Sequence, residues 1–403
     1  MDPVRNPYSP GAGTPPPALV GRDAHLDTFD VAVQRLAIGR SAKSLMLTGL
    51  RGVGKTVLLR EFGRTAESHG WTHVRTEATE QQHFVESMAT LVRTALLRLS
   101  AARRAAKRAR RALGILRSFR ARWNLPGGGE FSLGFDPVPG VADSGALDED
   151  LAGLFSAVGD LARAQGTGVL FTVDEVQYLS LDELAALIVG LHRISQDQLP
   201  FMVAGAGLPS LPSLAGEARS YAERLFSFPI IDSLPAAEAS RALSAPAAEE
   251  EVHWQPDALE RIVELTDGYP YFLQEFGKQA WDVATGSEHI TLADVEAAVP
   301  LALDELDSGF FRARIGRTTD AERAYLAAMA SLGPGPYESG RVAAARGKTT
   351  SQVGPVRDAL IKRGLCYAPR HGIIDFTVPM FDQFIRRHPD MHGVDPSASE
   401  RGV

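Results

Sequence analysis

The stretch "GLRGVGKT" (residues 49–56), preceded by "SLMLT" and followed by "VLLREF", decides how the rest of the chain is read. It fits the pattern G-x-x-x-x-G-K-[ST] at every position. Gly49, Gly52 and Gly54 let the backbone curl until successive N–H groups, that of Val53 among them, point at one anion. Lys55 would reach the β and γ phosphates of a nucleotide, and the Thr56 hydroxyl would ligate Mg²⁺. Val57 lies in the first turn of a following helix, whose positive end faces the same phosphates. An apolar strand before the turn and an amphipathic helix after it are the context this pattern requires.

A partner motif lies downstream in "GVLFTVDEV" (residues 168–176). Asp174 closes a continuous apolar run, and ligands of a parallel sheet collect at the carboxyl ends of its strands. There Asp174 would hold Mg²⁺ through water, and Glu175 would orient and polarise an attacking water. The competing reading is a helix start, since acids are favoured in a helix's first turn.

Around these motifs the chain alternates strands and helices, which predicts a parallel sheet with crossovers, an α/β P-loop fold. Leu26, Phe29, Val33 and Leu36 recur at helical spacing, as do Met88, Leu91, Val92, Ala95, Leu96 and Leu99. Residues 1–17 are rich in Pro and Gly and are expected to be disordered. Residues 18–235 would form the ATPase core, with a basic helical insertion at about 100–146. An all-α lid is expected over 236–312, a winged helix over 318–390 and a flexible tail over 391–403.

The residues "LVGRDAHL", the two nucleotide motifs, "SYAERLFSFPIIDSLP" and "TDGYPYFLQEFG" together resemble an AAA+ ATPase. The similarity is to the archaeal-type and origin-recognition-like branch, which borders on the STAND NTPases. The resemblance implies ATP or ADP with Mg²⁺ as cofactors and an adenine lying against Val20, Gly21 and Arg22. Arg224 resembles an arginine finger that reaches the γ-phosphate of a neighbouring subunit, beside Glu175 and Lys55 in the catalytic set. Its alternative is a surface ion pair with Glu223 or Glu217. Gly268, Tyr269 and Pro270 match the turn by which a helical lid closes over the base. One departure stands out: the strand after Asp174 ends "AGAGLPSL", where family members that hydrolyse well carry a polar side chain. Slow hydrolysis, a switch rather than a motor, is expected.

With a net charge of −7, the chain as a whole is no polycation, so contact with nucleic acid requires local patches. No Asp or Glu occurs between Glu86 and Glu130, a span that holds Arg103, Arg104, Lys107, Arg108, Arg110 and Arg111. Like charges at this density repel, and a DNA or RNA polyanion relieves them; the alternatives are a solvated helix face, pairing with acids around Asp148, Glu149 and Asp150, or an anionic membrane surface. Between residues 318 and 388 ten basic side chains stand against six acidic ones. There Thr350, Ser351, Gln352 and Arg357 would face DNA from a recognition helix and Arg370 from a hairpin tip.

The expected function is an ATP-dependent, DNA-associated switch with a possible homo-oligomer at the nucleotide interface. The alternative is a STAND-type regulatory ATPase whose C-terminal module binds an unknown protein partner and whose nucleotide state gates oligomerisation. A single cysteine, Cys366, excludes a disulfide framework. No apolar run reaches the roughly 20 residues of a membrane span, and the first residues lack the apolar core of a secretory signal. A cytoplasmic location is expected.

Overall fold

The computed structural model describes residues 1–11, 13–79, 84–100, 106–125 and 136–389. Arg103, Arg104 and the tail over 391–403 lie outside the described residues. Two compact units are present, one of residues 22–49 and 55–231, the other of residues 1–21, 50–54 and the chain from 232 on.

The first unit begins with α1 (Asp23–Ala37), β1 (Ser44–Thr48), α2 (Lys55–Ser68), β2 (Thr72–Glu77), α3 (Phe84–Ser100) and α4 (Ala106–Arg122). It continues with α5 (Leu147–Gln165), β3 (Val169–Asp174), α6 (Leu181–Gln196), β4 (Phe201–Gly207), α7 (Leu211–Ala218), α8 (Ala222–Leu225) and β5 (Phe226–Ser227). The five strands are parallel in the order β2-β3-β4-β1-β5. Every residue of β1 and β4 is buried, as strands covered on both faces must be. Phe29, Val33 and Leu36 of α1 are buried as their spacing predicts, and Phe29 stacks on Phe62 at 4.2 Å between ring centres.

The basic helix α4 lies against the body of this unit. Ala109, Ala112, Leu113, Leu116 and Phe119 of α4 are buried in the cluster shared with α3 and α5. Lys107, Arg108, Arg110 and Arg111 occupy the opposite, exposed face. The arginine count hid this apolar stripe, which alone fixes how the helix packs.

The second unit holds α9 (Ala236–Glu249), β6 (His253–Trp254), α10 (Pro256–Thr266), α11 (Pro270–Val283), β7 (His289–Ile290) and α12 (Leu292–Glu305). A π-helical turn (Leu306–Phe311) and α13 (Arg312–Ile315) follow. The strands β6 and β7, two residues each, pair in parallel and were not expected among these helices. Next come α14 (Asp320–Ser331), β8 (Tyr337–Glu338), α15 (Ser339–Ala345), α16 (Thr350–Lys362), β9 (Cys366–Tyr367), β10 (Ile373–Phe376) and α17 (Phe381–Arg387). The antiparallel sheet β8-β10-β9 contains the predicted hairpin. Gly364 takes φ +67 just past α16, the left-handed stop its position suggests.

The start of the chain packs, against the expectation of disorder. Tyr8 is buried, its hydroxyl donating to the Leu243 carbonyl at 2.6 Å and accepting from Trp254 Nε1–H at 2.8 Å. Its ring stands edge-on to Trp254 and Trp281. Composition averaged over 17 residues obscures one aromatic anchor that buries enough surface to order its neighbours. Tyr8→Phe should cost about 1–2 kcal/mol in urea unfolding of the full chain, because a buried indole N–H and a carbonyl lose their partner. Tyr8→Ala should cost about 3–5 kcal/mol. Equal small losses for both would place Tyr8 outside the packed core.

Candidate nucleotide site

At the carboxyl end of the sheet, Lys55 Nζ donates to the Gly49 carbonyl at 2.9 Å. Thr56 Oγ1–H donates to Asp174 Oδ2 at 2.6 Å. Two motifs separated by more than a hundred residues therefore meet where the sequence places them. Burial raises the Asp174 carboxyl above its ordinary value, and the Thr56 hydrogen bond offsets part of this.

Asp174 and Glu175 are not the first-turn acids of a helix. α6 starts later and has its own capping box, in which Ser180 Oγ accepts from Glu183 N–H and the Glu183 carboxylate accepts from Ser180 N–H. Glu175 adopts φ 54 and ψ 40, and its N–H donates to Asp174 Oδ1 at 2.9 Å. This left-handed turn lifts the Glu175 side chain out of the strand's alternation. Gln177 Nε2–H in turn donates to Glu175 Oε2.

Residues 50–54 make their contacts in the second unit. Gly52 and Gly54 sit at φ +86 and +94, open to glycine and strained for other residues. A Cβ on Gly52 would stand 2.8 Å from the Tyr269 hydroxyl, whereas a Cβ on Gly54 would meet nothing within 4 Å. Tyr269 caps the start of α11, Pro270 takes its first helical position, and the buried Tyr269 hydroxyl has no hydrogen-bond partner among the described residues. Burial raises its proton affinity, so it stays a neutral donor. Arg51 N–H donates to the Thr377 carbonyl at 3.3 Å, and a Cβ on Gly364 would stand 2.6 Å from Arg51 Nη2. Sequence reasoning missed Arg51, Thr377 and Gln177, because each acts through a partner distant in the chain or through the strand register.

The remaining predicted residues divide. Gly21 has φ +68, with Leu234 and Glu238 where its Cβ would be. Arg22 is buried and its carbonyl accepts from His25 and Leu26 N–H at the start of α1. Arg224 is exposed on α8 and pairs with neither Glu223 nor Glu217 among the described residues. Asp148 pairs with Arg219, and Asp150 accepts from Ser144, Gly145 and Trp123. These two acids are thus committed away from the arginines of α4. Gln352 is taken up in capping α16 with Thr349, and half-buried Arg357 pairs with Asp358 at 3.3 Å. Thr350, Ser351 and Arg370 are exposed.

Residues 18–204 match the family described as AAA ATPase domain, and residues 308–385 match a domain of unknown function (DUF8462). A Walker-type ATPase of Pyrococcus abyssi shares the fold at TM-score 0.55 and 16% identity, over 91% of this chain and 96% of that one. The Aeropyrum pernix ORC2 protein, in ADPNP–ADP complexes, does so at TM-score 0.54 and 17% identity, over 95% and 96%. No curated protein matches the sequence. The fold and the site define a P-loop NTPase of the α/β type. Residues 18–204 are the part of the chain that matches the AAA ATPase domain, and the two solved structures share its fold. No helix among the described residues is long and apolar enough to cross a membrane.

The raised Asp174 carboxyl sets a sign. The folded state binds this proton more tightly than the unfolded chain, so the group's contribution to stability falls as pH rises through its folded pKa. At neutral pH the charge is a net cost without a cation. Asp174→Asn keeps one oxygen for Glu175 N–H and turns an amide N–H toward Thr56 Oγ1, which can accept, so it should raise the unfolding temperature of the nucleotide-free protein and abolish the further rise on adding Mg²⁺ and ATP. A drop in the nucleotide-free unfolding temperature would contradict this account.

Proposed function

We propose that the protein is an ATP-dependent switch that hydrolyses ATP slowly with Mg²⁺ and associates with DNA. The observation that carries this reading is the Thr56–Asp174 hydrogen bond beside a buried Lys55, within a matched AAA ATPase domain. The residues present fit a magnesium nucleotide. Gly52 and Gly54 hold the loop at positive φ, the conformation in which backbone N–H groups can turn toward phosphate oxygens. Thr56 and Asp174 would hold the cation together with phosphate oxygens, as Mg²⁺ sites with few carboxylates do. When bound, the cation would neutralise charge that develops on the phosphates during transfer. Glu175 would orient the attacking water, Lys55 would steady the γ-phosphate, and exposed Arg224 would serve a neighbouring copy across a nucleotide interface.

Lys55→Ala should weaken binding of a fluorescent ATP analogue by about 100-fold or more. The parent should turn over less than about once per second, against about 10 per second for a typical enzyme. Faster turnover without partners, or intact binding in Lys55→Ala, would refute the proposal.

DNA association would run through α4 and the C-terminal domain, which we read as a winged helix from its order of helix, strand, two helices and a hairpin. Lys107, Arg108, Arg110 and Arg111 form no ion pair among the described residues, which supports a polyanion as their partner. Replacing all four by Gln should lower the salt slope of DNA binding in anisotropy titrations by on the order of 3. An unchanged slope would remove α4 from the interface.

A second reading is favoured by the Arg51 N–H that donates to Thr377. Here the C-terminal domain holds the phosphate loop directly, and the nucleotide state gates assembly with a protein. In that case the four-fold Gln variant should keep nucleotide-dependent self-association.

A further inference from the structure

The strand β4 ends Gly205-Ala206-Gly207 and so presents no polar side chain at the carboxyl end of the sheet. The packing shows why no side chain fits. A Cβ on Gly205 would run into Met46 Sδ and come within 3.0 Å of Val176. A Cβ on Gly207 would stand 3.0 Å from Gln177 Oε1 and 3.0 Å from Leu211 Cδ2. The space beside the strand end is therefore filled, and what fills it on one side is the amide of Gln177.

That amide is held at both ends. Its Oε1 accepts from Leu208 N–H at 3.1 Å, the first backbone donor past β4, and its Nε2–H donates to Glu175 Oε2. The side chain thus runs from the end of β4 to the carboxylate assigned to the attacking water. Its own backbone is equally constrained. Val176 is fully buried, and the turn closes with Tyr178 N–H to the Glu175 carbonyl at 3.0 Å and Leu179 N–H to the Val176 carbonyl at 3.1 Å. A long side chain fixed at its root and at its tip loses little further freedom when it orients a neighbour.

We infer that Gln177 is a positioning residue for hydrolysis: tethered to Leu208 N–H, it fixes the Glu175 carboxylate and supplies from the β3 turn the polar group that β4 lacks. The inference rests on the ATPase reading above. It explains how glycines at the end of β4 are compatible with an ordered site. It also makes the two positions reciprocal, since a polar residue at 207 and glutamine at 177 compete for one volume.

Steady-state hydrolysis by the full chain tests this, with binding of the fluorescent ATP analogue measured alongside. Gln177→Ala should lower kcat by about 10- to 100-fold, as loss of orientation does, with KM and analogue binding changed less than about threefold. Gln177→Glu keeps the shape but replaces the amide donor by a second carboxylate, and should lower kcat at least as far. Gly207→Asn alone should impair the enzyme because Gln177 occupies the space. Added to Gln177→Ala, the same substitution should recover at least threefold of the lost kcat, a recovery that a merely structural role would not give. If the parent shows Lys55-dependent hydrolysis and both Gln177 variants keep kcat within twofold, the inference is overturned and the ATPase reading stands. If the double variant is no better than Gln177→Ala, the exchange of roles is overturned. Absence of any Lys55-dependent turnover in the parent overturns the ATPase reading, and this inference with it.

Discussion

β1 and β3 carry the two halves of the site but are not neighbours, because β4 lies between them. At about 4.8 Å per strand spacing, the first turn of α2 and the end of β3 face each other across roughly 10 Å. The Thr56–Asp174 hydrogen bond closes that distance at 2.6 Å, directly over the end of β4. Everything else in the site follows from keeping this strand end low. Gly207 contributes only its backbone there, its carbonyl accepting from Gly49 N–H at 3.2 Å, which ties the first glycine of the phosphate loop to the central strand. A bulky residue in "AGAG" would push against Met46, Val176, Gln177 or Leu211 before it reached the nucleotide.

This constraint separates what was legible in the sequence from what was not. The phosphate loop and the Asp174–Glu175 pair were readable because each is local: a strand, a turn and residue types whose chemistry is tied to their spacing. The sheet followed from the alternation of elements, and the faces of α1 and α3 from simple periodicity. Glycines at the end of β4 were read as a missing group, since sequence shows the absence of a side chain but not what fills the space. Gln177 is only two residues from Glu175, yet its role depends on the register that brings Leu208 N–H to its amide oxygen. Likewise Tyr8 looked like part of a Pro-rich tail until Trp254 and Trp281, far along the chain, met it.

Charge was the least decisive signal for fold and the more useful one for surface. In α4 the arginines dominate the composition, but Leu113, Leu116 and Phe119 decide where the helix lies. Burying that stripe leaves Lys107, Arg108, Arg110 and Arg111 together on the exposed face, with Asp148 and Asp150 occupied elsewhere. In α16 the pattern runs the other way. Gln352 and Arg357, polar in sequence and at recognition positions, are used within the helix and its cap. A basic face without ion pairs among the described residues carries more information about a polyanion than a larger count of basic residues that the fold has already neutralised.

The contacts of the phosphate loop bound how the proposed switch would work. A backbone N–H has one good acceptor at a time, so Arg51 N–H on the Thr377 carbonyl is withdrawn from any anion in the loop. One such bond is worth about 0.5–1.5 kcal/mol net, which changes a population by no more than about tenfold. Moving an equilibrium from 1:99 to 99:1 needs about 5.5 kcal/mol of differential affinity. The Arg51–Thr377 bond is therefore a bias and cannot be the whole device. The larger share must come from groups whose surroundings differ more between states. The Tyr269 hydroxyl, buried beside Gly52 without a hydrogen-bond partner among the described residues, is one such group, because satisfying a buried donor recovers about 1–3 kcal/mol. Even at its upper end that figure falls short of about 5.5 kcal/mol, so other contacts of the nucleotide must supply the rest.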